Sequence, residues 1–69
     1  RIGNFLTLSP GGNISGENII GERVYFGSNS TSKQRVSIAD DTTFGLNAGI
    51  LSDVNESGVY VGTPARRIK

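Results

Sequence analysis

Large apolar residues recur along the chain with a period of six. When the sequence is divided into nine hexapeptides from residue 2, the first position is large and apolar in eight of them. The second position favours small residues, mainly glycine and serine. This period fits neither the 3.6-residue repeat of an amphipathic helix nor the alternation of a hairpin strand. The nine first positions are Ile2, Leu8, Ile14, Ile20, Phe26, Ser32, Ile38, Phe44 and Ile50.

A parallel β-helix accounts for the six-residue period. In that fold, short strands and tight corners wind round a triangular prism, and each coil buries its apolar side chains against its neighbours. Three hexapeptides make one coil, so we predict an all-β chain of about three coils. Residues three hexapeptides apart then stack inside the prism. The predicted files are Ile2 with Ile20 and Ile38, Leu8 with Phe26 and Phe44, and Ile14 with Ser32 and Ile50.

The fourth position of the hexapeptide indicates where the corners lie. It holds Gly11, Asn29, Asp41, Asn47 and Asp53. Glycine, asparagine and aspartate tolerate positive φ better than other residues. We therefore predict that these five residues form left-handed corners.

One hexapeptide breaks the apolar pattern. Ser32 stands where a large apolar residue is expected, and the polar residues 33–35 follow it. Two interpretations stay open. The segment is either a small bulged loop or a feature that faces a neighbour or a ligand.

The last part of the chain leaves the six-residue period. Residues 1–55 are assigned to the hexapeptide coils, and residues 56–69 to a C-terminal segment. Within that segment we predict a turn at 56–58, a short strand at 59–61, a second turn at 62–65 and a basic end at 66–69.

The composition narrows the chemistry that the chain can perform. It has 69 residues, no cysteine, no histidine and a net charge of +1. Disulfides, thiolate nucleophiles, histidine bases and histidine-based metal sites are therefore excluded, and the charge is too balanced for non-specific nucleic-acid binding. No apolar run reaches the roughly 20 residues of a membrane span. We expect a soluble, cytoplasmic domain that gains buried surface by association, because so short a chain buries only about 60% of its unfolded surface.

The hexapeptides and the closing run Gly58–Arg66 resemble the left-handed β-helix, or hexapeptide-repeat, acyltransferases. The runs Ile14–Gly16, Ile20–Gly21 and Ser37–Asp41 are most similar to bacterial sialic-acid-type and nucleotide-amino-sugar acetyltransferases. The resemblance implies a homotrimer with acetyl-CoA in the groove between adjacent prisms. The left hand comes from the resemblance alone, because parallel crossovers are right-handed in about 98% of cases.

The resemblance also implies roles for individual residues. The backbone N–H of Gly16 matches a group that points at the thioester carbonyl, although a corner glycine is an equal alternative. Ser28 and Leu46 match positions along the CoA arm, or else contact another subunit. Arg66, together with Arg67 and Lys69, meets the adenosine phosphates or belongs to a frayed tail. Thr7 stands where relatives often carry a second histidine near the acetyl group.

The same likeness places the catalytic histidine just before Ile2–Gly3, upstream of Arg1, and implies an N-terminal nucleotide-sugar-binding domain. We therefore expect this chain to be the acetyl-CoA-binding and trimerisation part of a sugar acetyltransferase, inactive alone. The acceptor is the amine or hydroxyl of a nucleotide-linked or glycan sugar. The alternative is a structural β-helix that only trimerises.

Overall fold

The computed structural model describes residues 2–69 and contains ten short strands with no helix among those residues. The strands are β1 (Thr7–Leu8), β2 (Asn13–Ile14), β3 (Ile19–Ile20), β4 (Tyr25–Phe26), β5 (Thr31–Ser32), β6 (Ser37–Ile38), β7 (Thr42–Phe44), β8 (Gly49–Ile50), β9 (Gly58–Val61) and β10 (Arg66–Arg67).

The strands form three faces of a prism. The first face runs β1-β4-β7-β9-β10, the second β2-β5-β8 and the third β3-β6. On every face the coil strands pair in parallel with the strand of the next coil, as in Thr7 with Tyr25 and Tyr25 with Thr43. Cross-coil side-chain contacts join residues 18 apart in sequence. The prediction of an all-β, parallel β-helix of about three coils is confirmed.

The three interior files form as predicted. Ile2, Ile20 and Ile38 pair in sequence along the third face. Phe26 and Phe44 are fully buried, with ring centroids 5.0 Å apart. The remaining file joins Ile14, Ser32 and Ile50 through β2, β5 and β8. The files therefore supply most of the core, because each inward side chain contacts the one in the coil above and below.

The first coil is less buried than the second. Ile2 and Leu8 are 54% and 46% exposed, whereas Ile20 and Phe26 are 3% and 0% exposed. Within residues 2–69 no strand lies on the outer side of β1 and β2. The burial of an inward residue is thus set by whether a coil covers it.

Positive φ occurs at more corners than the sequence predicted. Gly11, Asn29, Asp41 and Asn47 have positive φ, as expected. Asp53 does not, and that prediction is wrong. The other residues with positive φ at the fourth position are Phe5, Glu17, Arg23 and Arg35. The repeat imposes a left-handed corner on these side chains at a cost of about 1–2 kcal/mol each, and residue type alone did not reveal it.

Asp53 lies where the third coil closes early. Val54 pairs with Ile38, and the carboxylate of Asp53 accepts a hydrogen bond from the N–H of Ser37, 16 residues away. The coil has therefore lost two residues of the period, and the corner that Asp53 was predicted to form is absent.

Ser32 remains in register, so the bulged-loop interpretation is wrong. It lies in β5, pairs with Ile14 and Ile50, and is fully buried. Its hydroxyl group is satisfied by hydrogen bonds inside the prism.

The C-terminal segment closes the prism. Strand β9 pairs in parallel with β7, and β10 returns antiparallel to β9. Tyr60 packs against Phe44 with tilted rings whose centroids are 5.8 Å apart, and the Ala65 N–H donates to the Gly49 carbonyl at 2.8 Å. Arg66 and Arg67 belong to a strand, so the alternative of a frayed basic tail is wrong for them.

Candidate functional site

The prism separates the five candidate residues into two groups. Thr7 lies in β1 and Arg66 in β10, the two outer strands of the first face. Ser28 and Leu46 lie at the corner between the first and second faces. Gly16 lies at the corner between the second and third faces, which is opposite the first face in a triangular prism. A single copy therefore cannot bring Gly16 and Thr7 to the same small group on a ligand.

Ser28 and Leu46 form an exposed column on adjacent coils. The Asn47 N–H donates to the Ser28 carbonyl at 2.8 Å, which holds the two corners one above the other. The Leu46 side chain is 70% exposed. An exposed apolar side chain beside a hydroxyl, stacked along the prism axis, offers a surface for an extended, partly apolar chain.

No steric need of the fold accounts for the glycine at position 16. Its φ lies outside the left-handed range, and a Cβ built on it would have no heavy atom within 4 Å. Gln34 occupies the same position in the next coil and carries a side chain. In contrast, a Cβ on Gly27 would lie 2.7 Å from the backbone carbon of Gly45. Gly16 lies at a corner, as the structural alternative expects, but that corner has room for a Cβ within this chain.

The segment that carries Gly16 is held from the outer side by the next coil. The Arg35 N–H donates to the Gly16 carbonyl at 3.2 Å. The Arg35 guanidinium pairs with the Glu17 carboxylate at 2.8 Å, where both side chains are largely exposed. Exposed ion pairs contribute little to stability, so this pair orients the corner more than it strengthens the fold.

The same segment is held from inside by buried polar groups. The Ser32 hydroxyl donates to the Asn18 side-chain carbonyl and accepts a hydrogen bond from the Ser15 N–H at 3.3 Å. The Asn18 amide donates to the Lys33 carbonyl at 2.9 Å. Asn18 is 4% exposed and was missed in the sequence. Its signal was present, because an asparagine stands at an inward fifth position one coil from the inward serine.

Among the described residues, the ion pair with the shortest distance lies away from the candidate residues. Arg23 Nε lies 2.6 Å from Asp41 Oδ1, at the corner between the third and first faces. This hydrogen bond raises the pKa of Arg23 and lowers the pKa of Asp41. Arg66 makes no ion pair within residues 2–69, whereas Arg67 approaches Glu56 at 3.4 Å. Arg66 is therefore a cation that an external anion can reach.

Metal-binding clusters and membrane-spanning helices are both absent from the part of the chain that the structure describes. No cluster of three or more acidic side chains there could hold a metal ion. Those residues also include no helix with the length and apolar character needed to cross a membrane.

Two solved structures share this fold at 30% sequence identity. The acetyltransferase domain of PglB from Neisseria gonorrhoeae FA1090 matches 91% of this chain with a TM-score of 0.87. The same domain in complex with acetyl coenzyme A matches 97% of this chain with a TM-score of 0.92. The chain spans 31% and 33% of the length of those chains. No protein-family model matches it. The resemblance to an acetyltransferase β-helix is thus confirmed at the level of the fold.

Proposed function

We propose that this chain is the acetyl-CoA-binding and trimerisation part of a sugar acetyltransferase. The observation that carries the proposal is the match over 97% of the chain to an acetyltransferase domain that holds acetyl coenzyme A. The enzyme transfers the acetyl group to the amine or hydroxyl of a nucleotide-linked or glycan sugar. The amine or hydroxyl is the nucleophile, and the thiolate of CoA is the leaving group.

The N–H of Gly16, an exposed residue, stabilises the reacting carbonyl in this proposal. When the sugar nucleophile attacks the thioester carbon, negative charge develops on the carbonyl oxygen. A fixed N–H aimed at that oxygen lowers the barrier, and such a donor is typically worth about 10²–10³ in kcat. The open space round Gly16 supports the role, because a thioester can approach the backbone there without meeting a side chain.

The base that accepts the proton of the nucleophile comes from outside this sequence. The 69 residues contain no histidine. We propose that a histidine just upstream of Arg1 takes this proton, and that Thr7 of the neighbouring copy lies near the acetyl group. The collapse of the tetrahedral intermediate then releases CoA and leaves the acetylated sugar.

A homotrimer brings the two groups of residues together. One copy supplies the corner with Gly16, and its neighbour supplies Thr7 on the first face and Ser28 and Leu46 at the corner next to that face. Such a contact joins two different surfaces of the same chain, and three copies close it into a ring. The pantetheine arm of acetyl-CoA runs along the column of Ser28 and Leu46. Arg66 bonds the phosphates, since a guanidinium gives strong charge-assisted bonds to phosphate oxygens.

The proposal is tested with the full-length protein that contains this chain. Calorimetric titration with acetyl-CoA measures binding, and release of the CoA thiol in the presence of nucleotide-linked amino sugars measures transfer. We expect one binding site per chain, and a trimer by light scattering. A trimer that binds no acetyl-CoA at millimolar concentration contradicts the enzyme and leaves the structural scaffold as the function.

A further inference from the structure

We propose that Ser32 and Asn18 are positioning residues for the backbone N–H of Gly16. The inference rests on the proposed function, and it assigns a role in acetyl transfer to two side chains that never touch the donor. Both lie inside the prism, directly beneath the corner that carries Gly16.

Each of these two polar residues is stacked with apolar side chains in neighbouring coils, although the fifth position also buries Ser30 and Thr42 elsewhere in the prism. Ser32 is fully buried between Ile14 and Ile50 in its file. Asn18 shares the fifth position with Val36, which is 4% exposed. Burying a hydroxyl or an amide costs roughly 1–3 kcal/mol unless its hydrogen bonds are remade. The hydrogen bonds of the pair to each other, to the Ser15 N–H and to the Lys33 carbonyl remake those bonds, so the burial of the pair depends on the position of the segment round Gly16.

The hydrogen bonds of the pair converge on one short segment. Ser32 accepts from the N–H of Ser15, the residue before Gly16, at 3.3 Å. Asn18, two residues after Gly16, is bonded to Ser32 and to the Lys33 carbonyl at 2.9 Å. Its amide also lies 3.5 Å from the Gly16 carbonyl. The residues on both sides of Gly16 are thus tied to the second coil through the interior.

The direction of the Gly16 N–H depends on this anchoring. Glycine has more backbone freedom than any other residue, and Gly16 has no side chain with which to hold its own orientation. An N–H that stabilises charge acts best when its direction is fixed before the reaction. The interior pair holds the peptide before the one that carries this N–H, through the Ser15 N–H, and Arg35 holds the peptide after it, through the Gly16 carbonyl.

The test compares Ser32→Ala with Ser30→Ala in the full-length protein. Ser30 is an equally buried serine whose hydroxyl donates to the Gly27 carbonyl at 2.7 Å, at the opposite end of the second face. We expect Ser32→Ala to lower kcat by about 10–100-fold through misplacement of the N–H. The Kd of acetyl-CoA should change by no more than about twofold, because neither side chain touches the donor. A twofold change is well below the 1.4 kcal/mol that corresponds to a tenfold change in Kd. Ser30→Ala should leave kcat unchanged.

Two further variants separate positioning from stability. Ser32→Thr keeps the hydroxyl and is expected to retain kcat. The double variant Ser32→Val/Asn18→Leu removes both polar side chains and takes a partner from the Ser15 N–H and the Lys33 carbonyl, a loss of about 1–3 kcal/mol for a buried group. We expect it to fold with a lowered Tm and, when assayed well below that Tm, to lose kcat as Ser32→Ala does. If Ser32→Ala and the double variant keep wild-type kcat, the positioning role is refuted.

Amide hydrogen exchange tests the inference independently of catalysis. Ser32→Ala should speed exchange at residues 15–18 by about tenfold and leave residues 27–30 unchanged, as expected for local opening. Equal exchange at both corners overturns the inference even if the enzyme is active. A wild-type protein that neither binds nor transfers acetyl groups, yet shows the expected exchange pattern, refutes the proposed function instead.

Discussion

Replacing Gly16 by alanine should raise stability and lower activity together. The φ angle of Gly16 lies outside the left-handed range, and a Cβ there meets no protein atom within 4 Å. Alanine at such a site stabilises a protein by about 0.4–1 kcal/mol, chiefly because it reduces the freedom of the unfolded chain. For a domain of this size that is a rise in Tm of about 2–8 °C.

The same Cβ occupies the space through which a thioester reaches the Gly16 N–H. Displacing a reacting group by about 1 Å can lower the rate by about 10²-fold. We therefore expect kcat/KM for acetyl-CoA to fall by about that factor in Gly16→Ala. Thiol release gives the rate, and calorimetry or circular dichroism gives Tm.

Gly27→Ala is the matched control for this variant. Its Cβ would lie 2.7–2.8 Å from backbone atoms of the next coil, and overpacking of this kind costs about 1–3 kcal/mol. It should lower Tm, whereas Gly16→Ala raises it. A wild-type rate in Gly16→Ala would refute contact between Gly16 and the donor. A lowered Tm in that variant would show that the corner itself needs glycine.

Three other changes test the core, the ion pair and the donor column. Phe26→Ala should cost about 3–5 kcal/mol in the free energy of unfolding, measured in urea, because it removes a fully buried ring from the aromatic file. Asp41 has a lowered pKa, so its contact with Arg23 should stabilise the protein above the ordinary carboxyl pKa of 3.8. This stabilisation is lost as the pH falls through the lowered pKa that Asp41 has in the folded protein. Asp41→Asn should therefore remove it from a plot of Tm against pH. Leu46→Ala should raise the Kd of acetyl-CoA by about 3–10-fold through lost apolar contact, whereas Leu51→Ala should not.

Each of these variants has an outcome that contradicts its premise. Phe5 is 77% exposed, so Phe5→Ala should change stability by no more than about 0.5 kcal/mol, and an effect equal to that of Phe26→Ala would contradict the assignment of the core. An acid-side profile identical in wild type and Asp41→Asn would show that the exposed pair contributes nothing. Equal affinities in Leu46→Ala and Leu51→Ala would remove the column from the donor site.

The sequence determined the coil because the coil is a local repeat. Once large residues recur at a fixed spacing, the alternation of strand and corner sets which side chains point inward, and stacking follows from the equal length of successive coils. Ile20, Phe26 and Ile50 were placed correctly for this reason. The corners at Asn29 and Asn47 were also predicted, because their residue type tolerates positive φ.

Tertiary structure decided the features that depend on which residues meet across coils. Arg23 and Arg35 adopt positive φ because the repeat demands a corner there, although their side chains do not favour it. Asp53 loses its corner because Val54 takes the partner position beside Ile38. In each case the deciding contact lies one coil away.

In the candidate site, too, the sequence determined some features and the tertiary structure decided others. The closing run and the position of Gly16 were visible in the sequence, and so was the inward serine at position 32. Only the fold showed that Asn18 meets Ser32 inside the prism, and that open space surrounds Gly16. The physical reason is that a repeating pattern fixes the direction of each side chain, while hydrogen bonds and free space depend on the partners that neighbouring coils place beside it.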